Sequence, residues 1–318
     1  MFLYVLKRLI YSIPIALSVS AITFSLVYLA PGDPISAIAP SDAPEEIIQS
    51  LKTQYGLDQP LPIQYFKWVA RAVHGDLGVS IASGRPVLSE LGTSLRNTVC
   101  LALIASFIGI SLGCLLGSLG GLYQDTFIDK ISTFVSLIGV SIPHYWLGLL
   151  LTILFSVWLG WLPSMGASSS PFAFDFEHLK FMILPALTLS VIPTGIITRT
   201  VKSLVSEMIS KEFVVALQAR GLSQFTIFKH IAKNALTTVL AVGGLQIGYL
   251  MGGSILVETV FSWPGTGYLL NIAIFQRDIP LLQGIVLVLC LIFVILNLFV
   301  DVLQSLIDPR MRRGVNHD

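Results

Sequence analysis

Six stretches of this 318-residue chain are long and apolar enough to cross a lipid bilayer, and this feature restricts its fold more than any other. A helix needs about 20 residues to cross the hydrocarbon core, and in lipid every backbone polar group must find an internal partner. We therefore expect an all-α integral membrane protein with six transmembrane helices. The stretches cover approximately residues 9–30, 98–123, 131–159, 181–200, 235–257 and 281–306.

Prolines affect the helices expected for the third and fourth stretches. Pro143 lies in the third stretch, which is the longest, and predicts a kink or tilt there. Pro185 and Pro193 make the fourth stretch the helix that the sequence supports least. Prolines are nevertheless tolerated in membrane helices, because neighbouring groups can satisfy the freed carbonyls.

The composition agrees with a membrane protein and excludes several other classes. The chain is 54% hydrophobic and 12% charged, whereas soluble domains carry about 25% charged residues. A net charge of +1 offers no basic surface for nucleic acid. The cysteines lie in apolar stretches, which is typical of small buried side chains rather than of disulfides or zinc sites. They are Cys100, Cys114 and Cys290.

The first stretch has the outline of a signal peptide, because Lys7 and Arg8 precede it and Ala-Ile-Ala follows at 37–39. Its apolar run of about 22 residues exceeds the 7–15 of a signal peptide, and the alanines lie well past its end. We therefore expect an uncleaved first transmembrane helix.

The basic residues predict the orientation of the chain in the membrane. Most of the 19 lysines and arginines fall in cytoplasmic segments if both termini are cytoplasmic. The predicted organisation is then a first transmembrane helix (1–30), a periplasmic loop (31–97) and a five-helix membrane core (98–308). This core contains a cytoplasmic loop (201–234), and a cytoplasmic tail (309–318) follows it.

The predicted periplasmic loop is too long for a simple connection. Glu45 and Glu46 indicate a helix over 43–55, which Gly56 ends, and Pro62 opens a second helix that extends to about residue 73. We expect a small helical insertion after the first transmembrane helix. It either packs on the core or docks an outside partner.

Glycines recur every fourth residue in the second and fifth stretches, and this spacing places each set on one helix face. Small faces allow close helix packing in lipid, so we favour packing within the subunit over a subunit interface or a translocation pathway. The two sets are Gly109, Gly113, Gly117 and Gly121, and Gly244, Gly248 and Gly252.

Few ionisable residues fall in the middle of a stretch, which argues against an ion-coupled carrier. His144 is the main candidate, and we favour a packing role over a role as substrate ligand. Gln246 is polar enough to line a pathway. The chain contains no P-loop motif and no recognisable catalytic motif.

The segment 212–236 is polar and basic, and it separates two apolar stretches. Residues 212–220 are good helix formers, Gly221 can adopt the positive φ that ends a helix, and Ser223 can cap a second helix. The predicted apolar face of that helix comprises Leu222, Phe225, Phe228, Ile231 and Ala235, while Gln224, Lys229 and Lys233 face outward. We expect a rigid corner on which a cytoplasmic partner could act. The alternative is a helix that lies on the membrane surface.

This corner resembles the coupling motif of ABC importer permeases, E-A-A-x3-G-x9-I-x-L-P. Gly221 and Ile231 keep the spacing of its glycine and isoleucine. The chain departs from the motif at residues 215–217, which read Val-Ala-Leu, and at Thr238, where peptide-type permeases place proline.

The rest of the chain resembles the dipeptide/oligopeptide/nickel subgroup of these permeases along nearly its whole length. The shared motifs are APGDP (30–34), YGLDQPLPIQY (55–65), GDLGVS (75–80), SIPHYWLG (141–148), LPALTL (184–189), ETVFSWPGTG (258–267), RDIPLLQG (277–284) and DPR (308–310).

The resemblance implies a type I ABC importer permease fold in a bacterial inner membrane. It also implies three kinds of partner: a second homologous permease, two ATPase subunits that use ATP and Mg, and a periplasmic or lipid-anchored substrate-binding protein. The chain itself is expected to contact lipid and to bind no cofactor. Peptides are the favoured cargo. Glutathione-like peptides or nickel are the alternative cargoes. The alternative protein classes are an ion-coupled carrier and a membrane scaffold or enzyme. The implied ATPase-coupling residues are Glu212, Ala216, Ala219, Arg220, Gly221, Leu222, Ser223 and Phe225.

Overall fold

The computed structural model describes residues 2–29, 35, 43–55, 58–167 and 176–307. The regular secondary structure of this part of the chain is helical apart from an isolated bridge between Val79 and Pro86. Three predictions lie outside the described residues. They concern the alanines at 37–39, the helix stop at Gly56 and the tail at 309–318.

The described part of the chain contains twelve α-helices and one π-helical segment. The first six are α1 (Phe2–Leu29), α2 (Glu45–Tyr55), α3 (Leu61–Val73), α4 (Val87–Leu122), α5 (Phe127–Ser141) and α6 (His144–Thr152), which continues as the π-helical segment Ile153–Trp158. The others are α7 (Phe176–Ile209), α8 (Glu212–Ala219), α9 (Gln224–Gly253), α10 (Ile255–Val260), α11 (Thr266–Phe275) and α12 (Ile279–Ile307).

Four described helices are long and apolar enough to cross a membrane, or five if α5 and α6 together form one broken span. The four are α4, α7, α9 and α12, and α1 contains a shorter apolar stretch, Ile13–Ser25, among its described residues. The α4 helix begins at Val87 rather than at residue 98, and α7 extends to Ile209, so both helices continue into segments expected to be loops.

The third predicted span is not one tilted helix. It breaks at Ile142 and Pro143, and the helical segments before and after the break meet at a bend of 101°. Ile142 has φ −84° and ψ 126°, an extended conformation that a following proline favours because its ring disfavours the helical region for the preceding residue. The sequence therefore located the break but underestimated its size.

The α7 helix lies at the centre of the bundle and runs without interruption through Pro185 and Pro193. It contacts α4, α5, α6, α9 and α10. It is also the most deeply buried of the four long helices, with 67% of its most apolar window buried.

The glycines of α4 allow this helix to lie directly against α7. A Cβ atom at Gly109 would lie 2.8 Å from Pro193 Cβ, and one at Gly117 would lie 2.7 Å from the Thr198 carbonyl oxygen. Gly113 and Gly121 meet α7 in the same way. This set therefore packs within the subunit, as the four-residue spacing indicated.

Candidate functional site

The corner between α8 and α9 forms as the sequence indicated. The α8 helix ends at Ala219, and Gly221 adopts a φ of +75°, in the left-handed region that favours glycine. The Gly221 amide donates to the Gln218 carbonyl at 2.9 Å, and the Leu222 amide donates to the Leu217 carbonyl at 3.3 Å. This pair of bonds is a Schellman motif, which satisfies the last carbonyls of α8 and reverses the chain.

Ser223 then starts α9. Its backbone is extended, and its hydroxyl oxygen accepts a hydrogen bond from the Thr226 amide at 3.3 Å. A serine cap of this kind satisfies one of the free amides in the first turn of the helix. Because α9 continues to Gly253, the corner is joined directly to the fifth predicted span.

The inner side of the corner is anchored to the membrane core. Val214 of α8 and Ile227 and Ile231 of α9 are buried in one cluster with three residues of α7. The α7 members of the cluster are Ile197, Val201 and Val205. Because both helices of the corner pack on the end of α7, a displacement of the corner must also displace α7 or break this cluster.

The outer side of the corner is exposed. Every predicted coupling residue lies there, at the surface of the described structure. Phe225 is 77% exposed and Val215 57%, so the surface presents apolar side chains beside the charged groups of Glu212 and Arg220. A partner protein could bury these apolar groups.

The predicted apolar face of α9 was wrong at its beginning. Ile231 and Ala235 are buried as expected, but the remaining buried position in the first turns is Ile227 rather than Phe225. Phe225 lies two residues before Ile227, about 200° away around the helix, and therefore points outward. Leu222 precedes the helix and is also exposed.

Two ion pairs stabilise the ends of helices near the corner. Lys211 pairs with Glu207 at 2.8 Å across the junction of α7 and α8. Lys202 of α7 forms an ion pair with Asp129 of α5 and donates a hydrogen bond to Thr133 at 2.7 Å. These contacts link α5, α7 and α8 on the predicted cytoplasmic side.

The predicted pathway or packing candidates are spread over different parts of the bundle. Gly244 lies directly against Val300 of α12, and a Cβ at Gly248 would lie 2.9 Å from the Phe293 ring, so both glycines contact α12. Gly252 faces open space.

The two polar candidates lie on separate helices. Gln246 of α9 is half-buried, and its side-chain oxygen has no hydrogen-bond partner among the described residues. His144 is half-buried at the start of α6, beside the Tyr145 ring. The structure therefore does not gather these residues around one site.

Sequence reasoning missed a buried carboxylate that organises the region before α12. Glu258 is 0% exposed. One of its oxygens accepts hydrogen bonds from Thr98 and Ser254, each at 2.8 Å, and the other accepts from the amides of Gly267 and Tyr268 at 2.7 and 3.0 Å. A carboxylate with four donors satisfies the amides at the start of α11 and joins α4, α10 and α11. The signal in the sequence was a glutamate directly after an apolar run, followed by Trp-Pro-Gly-Thr-Gly.

A second buried carboxylate holds the insertion to the core. Asp278 accepts hydrogen bonds from the Ser80 hydroxyl at 2.5 Å and the Ala82 amide at 3.1 Å. Its other oxygen accepts from the Leu281 amide in the first turn of α12 at 3.1 Å. The loop before α4 and the start of α12 are therefore tied to the same side chain.

Within the described ranges, no group of three or more histidine, cysteine or acidic side chains could hold a metal ion. The corner presents an exposed surface on rigidly packed helices, and the buried carboxylates serve as hydrogen-bonded joints between helices.

Comparisons with known families cover almost the whole chain. The family described as binding-protein-dependent transport system inner membrane component matches residues 105–313. A family that describes the N-terminal part of such membrane components matches residues 1–107.

Individual relatives and one solved structure agree with these matches. The dipeptide transport system permease protein DppB of Alkalihalophilus pseudofirmus is 37% identical over 332 residues, which cover 98% of this chain and 100% of the relative. The glutathione transport system permease protein GsiC of Escherichia coli is 37% identical over 310 residues, which cover 97% of this chain and 98% of the relative. An inward-facing structure of the MetNI methionine ABC transporter superposes with a TM-score of 0.54 at 17% identity, covering 69% of this chain and 96% of that chain, and shows a shared fold.

Proposed function

This chain belongs to the family of inner-membrane components of binding-protein-dependent transport systems, and we propose that it forms half of a translocation pathway for short peptides. It is a multi-pass permease subunit of an ABC importer of the dipeptide/glutathione type. A second, homologous permease would form the other half of the pathway. ATP and Mg would act only on two ATPase partners, and this chain would bind no cofactor.

The proposed cargo is a di- or oligopeptide, including glutathione-like peptides. The proposal rests on two relatives of nearly full length, one named for dipeptide transport and the other for glutathione transport. A soluble binding protein would deliver the peptide from outside, and much of the selectivity would lie in that protein.

The observation that carries the coupling proposal is the α8–α9 corner. All the predicted coupling residues are exposed on it, while its inner side is buried against α7. The ATPase subunits would hold the surface around Ala216, Gly221 and Phe225. When they close on ATP, their movement would pass through the buried cluster to α7 and along α9, and would open the pathway alternately to each side.

The proposed topology has six spans, namely α1, α4, the bent α5–α6 pair, α7, α9 and α12. Both termini would lie in the cytoplasm, and residues 31–97 would form the periplasmic insertion. The division into segments 1–30, 31–97, 98–308 and 309–318 stays a prediction, with the qualification that α4 already begins at Val87.

An uptake experiment tests cargo and coupling together. Cells that lack the chromosomal gene would receive the native chain, Gly221→Glu or Lys130→Glu. Uptake of a labelled dipeptide would be measured with glutathione as a competitor, and uptake of labelled nickel would be measured separately. Lys130 is an exposed residue of α5 on the same predicted side, so its variant controls for added negative charge.

We expect the native chain and Lys130→Glu to restore dipeptide uptake, and Gly221→Glu to fail although immunoblots show equal amounts in the membrane. Unchanged uptake with Gly221→Glu would contradict the coupling proposal. Restored nickel uptake without peptide uptake would contradict the proposed cargo.

A further inference from the structure

The α3 helix of the insertion has an apolar side that no other described element covers. Phe66 and Val73 are 71% and 79% exposed, and Ile63 is exposed on the same side. Trp68 is 5% exposed and lies about 200° around the helix from Phe66. The helix is thus apolar on two opposite sides, one buried in the protein and one exposed. A helix with this pattern is unfavourable in water but stable in an apolar medium.

The depth of α3 in the bilayer can be read from α12. A cavity of about 760 Å³ is lined by Trp68 of α3, Phe24 of α1 and the first residues of α12, including Ile279 and Gln283. The long apolar run of α12 begins at Ile279, directly after Asp278. Trp68 therefore lies beside the first turn of α12, where the apolar run of that helix begins.

Tyr65 lies deeper than Trp68 along α1. Its hydroxyl is 2.8 Å from Ser20 Oγ and donates to the Leu17 carbonyl at 3.1 Å, and its ring makes an edge contact with Phe24 at 5.4 Å. Ser20 and Leu17 precede Phe24 and so lie further into the predicted first span. Tyr65 therefore fixes the buried side of α3 against the predicted first span.

The α3 helix is attached to α1 through Tyr65, and α1 also exposes apolar side chains. Ile13 and Ile22 are exposed on opposite sides of α1, as expected for a predicted transmembrane helix with lipid around much of its circumference. Exposed apolar side chains on a helix attached to this span are best covered by the same lipid.

A narrow basic edge borders the apolar side. Lys67 and Arg71 are one turn apart, both are exposed, and both line the cavity beside α12. Two carboxylates, Asp58 and Asp76, line other parts of the same cavity. Lysine and arginine at this depth extend their charged ends to the phosphates of the headgroup layer while their stems remain on apolar surface.

We propose that α3 is a membrane-interface helix, which inserts Ile63, Phe66 and Val73 into the outer leaflet and places Lys67 and Arg71 against lipid phosphates. The insertion would then extend the membrane-embedded part of the permease sideways, in addition to covering its outer face. The binding protein is the competing occupant of this surface.

Spin-label depth measurements test the proposal on the permease purified with its partner subunits in nanodiscs of phosphatidylcholine and phosphatidylglycerol. The three native cysteines would be replaced by alanine, and single labels placed at Phe66→Cys and Val73→Cys. Phe107→Cys on the exposed face of α4 is the control for lipid, and Ser50→Cys on α2 is the control for water.

We expect labels at positions 66 and 73 to be several-fold more accessible to oxygen than to a water-soluble nickel chelate, as at position 107, with the reverse at position 50. Labels at 66 and 73 that behave like position 50 would overturn the proposal. So would labels that reach the nickel chelate freely but become protected when the binding protein is added, because the surface would then belong to that partner.

Charge reversal tests the basic edge with the same label. In a Lys67→Glu/Arg71→Glu background, we expect the label at position 66 to lose most of its preference for oxygen, since the acidic pair would be repelled by the anionic lipid. Arg85→Glu removes an exposed charge of the insertion that does not line the cavity, and it should leave the label unchanged. An unchanged label in the double variant would overturn the role of the two cations.

Discussion

Replacement of Gly221 should weaken the α8–α9 corner by an amount set by backbone conformation alone. A Cβ atom at this position would meet nothing within 4 Å, so a small side chain causes no clash. The φ of +75° remains, and this conformation costs an L-residue about 1–2 kcal/mol. Asparagine tolerates the left-handed region better than alanine does, so Gly221→Asn should cost less than Gly221→Ala.

Hydrogen exchange of the purified complex measures this cost directly. A loss of about 1–2 kcal/mol raises the opening equilibrium of the corner by about 5–30-fold. We expect exchange to accelerate by this factor in Gly221→Ala, and much less in Gly221→Asn, at the Gly221 and Leu222 amides that bond to the end of α8. Gln218→Ala, an exposed position on α8 that keeps its backbone carbonyl, is the matched control and should exchange like the native chain.

Equal protection in the native chain and Gly221→Ala would refute this reasoning, because the corner would then not depend on a left-handed residue. Equal acceleration in the alanine and asparagine variants would also refute it, since the two differ mainly in how well they tolerate positive φ.

Three further predictions concern the helix contacts. Gly117→Ala should destabilise the protein by about 1–3 kcal/mol, since its Cβ would lie 2.7 Å from a carbonyl oxygen of α7. Gly92→Ala on the same helix meets open space and should be neutral or stabilising. Thermal unfolding in detergent compares the two variants, and equal melting temperatures would contradict the close-packing argument. Glu258→Leu should cost about 1–3 kcal/mol for each amide that it leaves unsatisfied at the start of α11, and Glu258→Gln, which keeps an acceptor, should cost less by the same measurement. Asp278→Ala should release the loop before α4, so that limited proteolysis cuts near Ser80 faster than in the native chain, and an unchanged cleavage rate would argue against Asp278 as the anchor.

The predicted periplasmic insertion illustrates how far local patterns reach. The acidic pair in the first turn of α2 and the proline at the start of α3 predicted both helices to within two residues of their observed ends. The same patterns left open whether the insertion packs on the core or docks a partner. Its position depends on Tyr65 meeting α1 and on Asp278 meeting Ser80, which are contacts between distant parts of the chain.

The start of α9 shows a limit of periodicity. Phe225, Phe228 and Ile231 follow a helical spacing, and so do Ile227, Ile231 and Ala235. Both series are apolar, and the sequence does not state which side α7 will cover. The structure buries the second series and leaves Phe225 exposed.

The approximate positions of the long apolar helices, the end of α8 before Gly221 and the serine cap of α9 were legible in the sequence, because each depends on residues that are close together in the chain. The long apolar stretches required a membrane for the same reason, since length and composition are local properties. The extension of α4 back to Val87, the extension of α7 to Ile209 and the helices α10 and α11 were not predicted. The buried carboxylates were not legible, because Glu258 meets Thr98 across 160 residues and Asp278 meets Ser80 across 198. The size of the bend at Pro143 and the buried side of α9 likewise depend on which helices become neighbours, and only tertiary packing makes that choice.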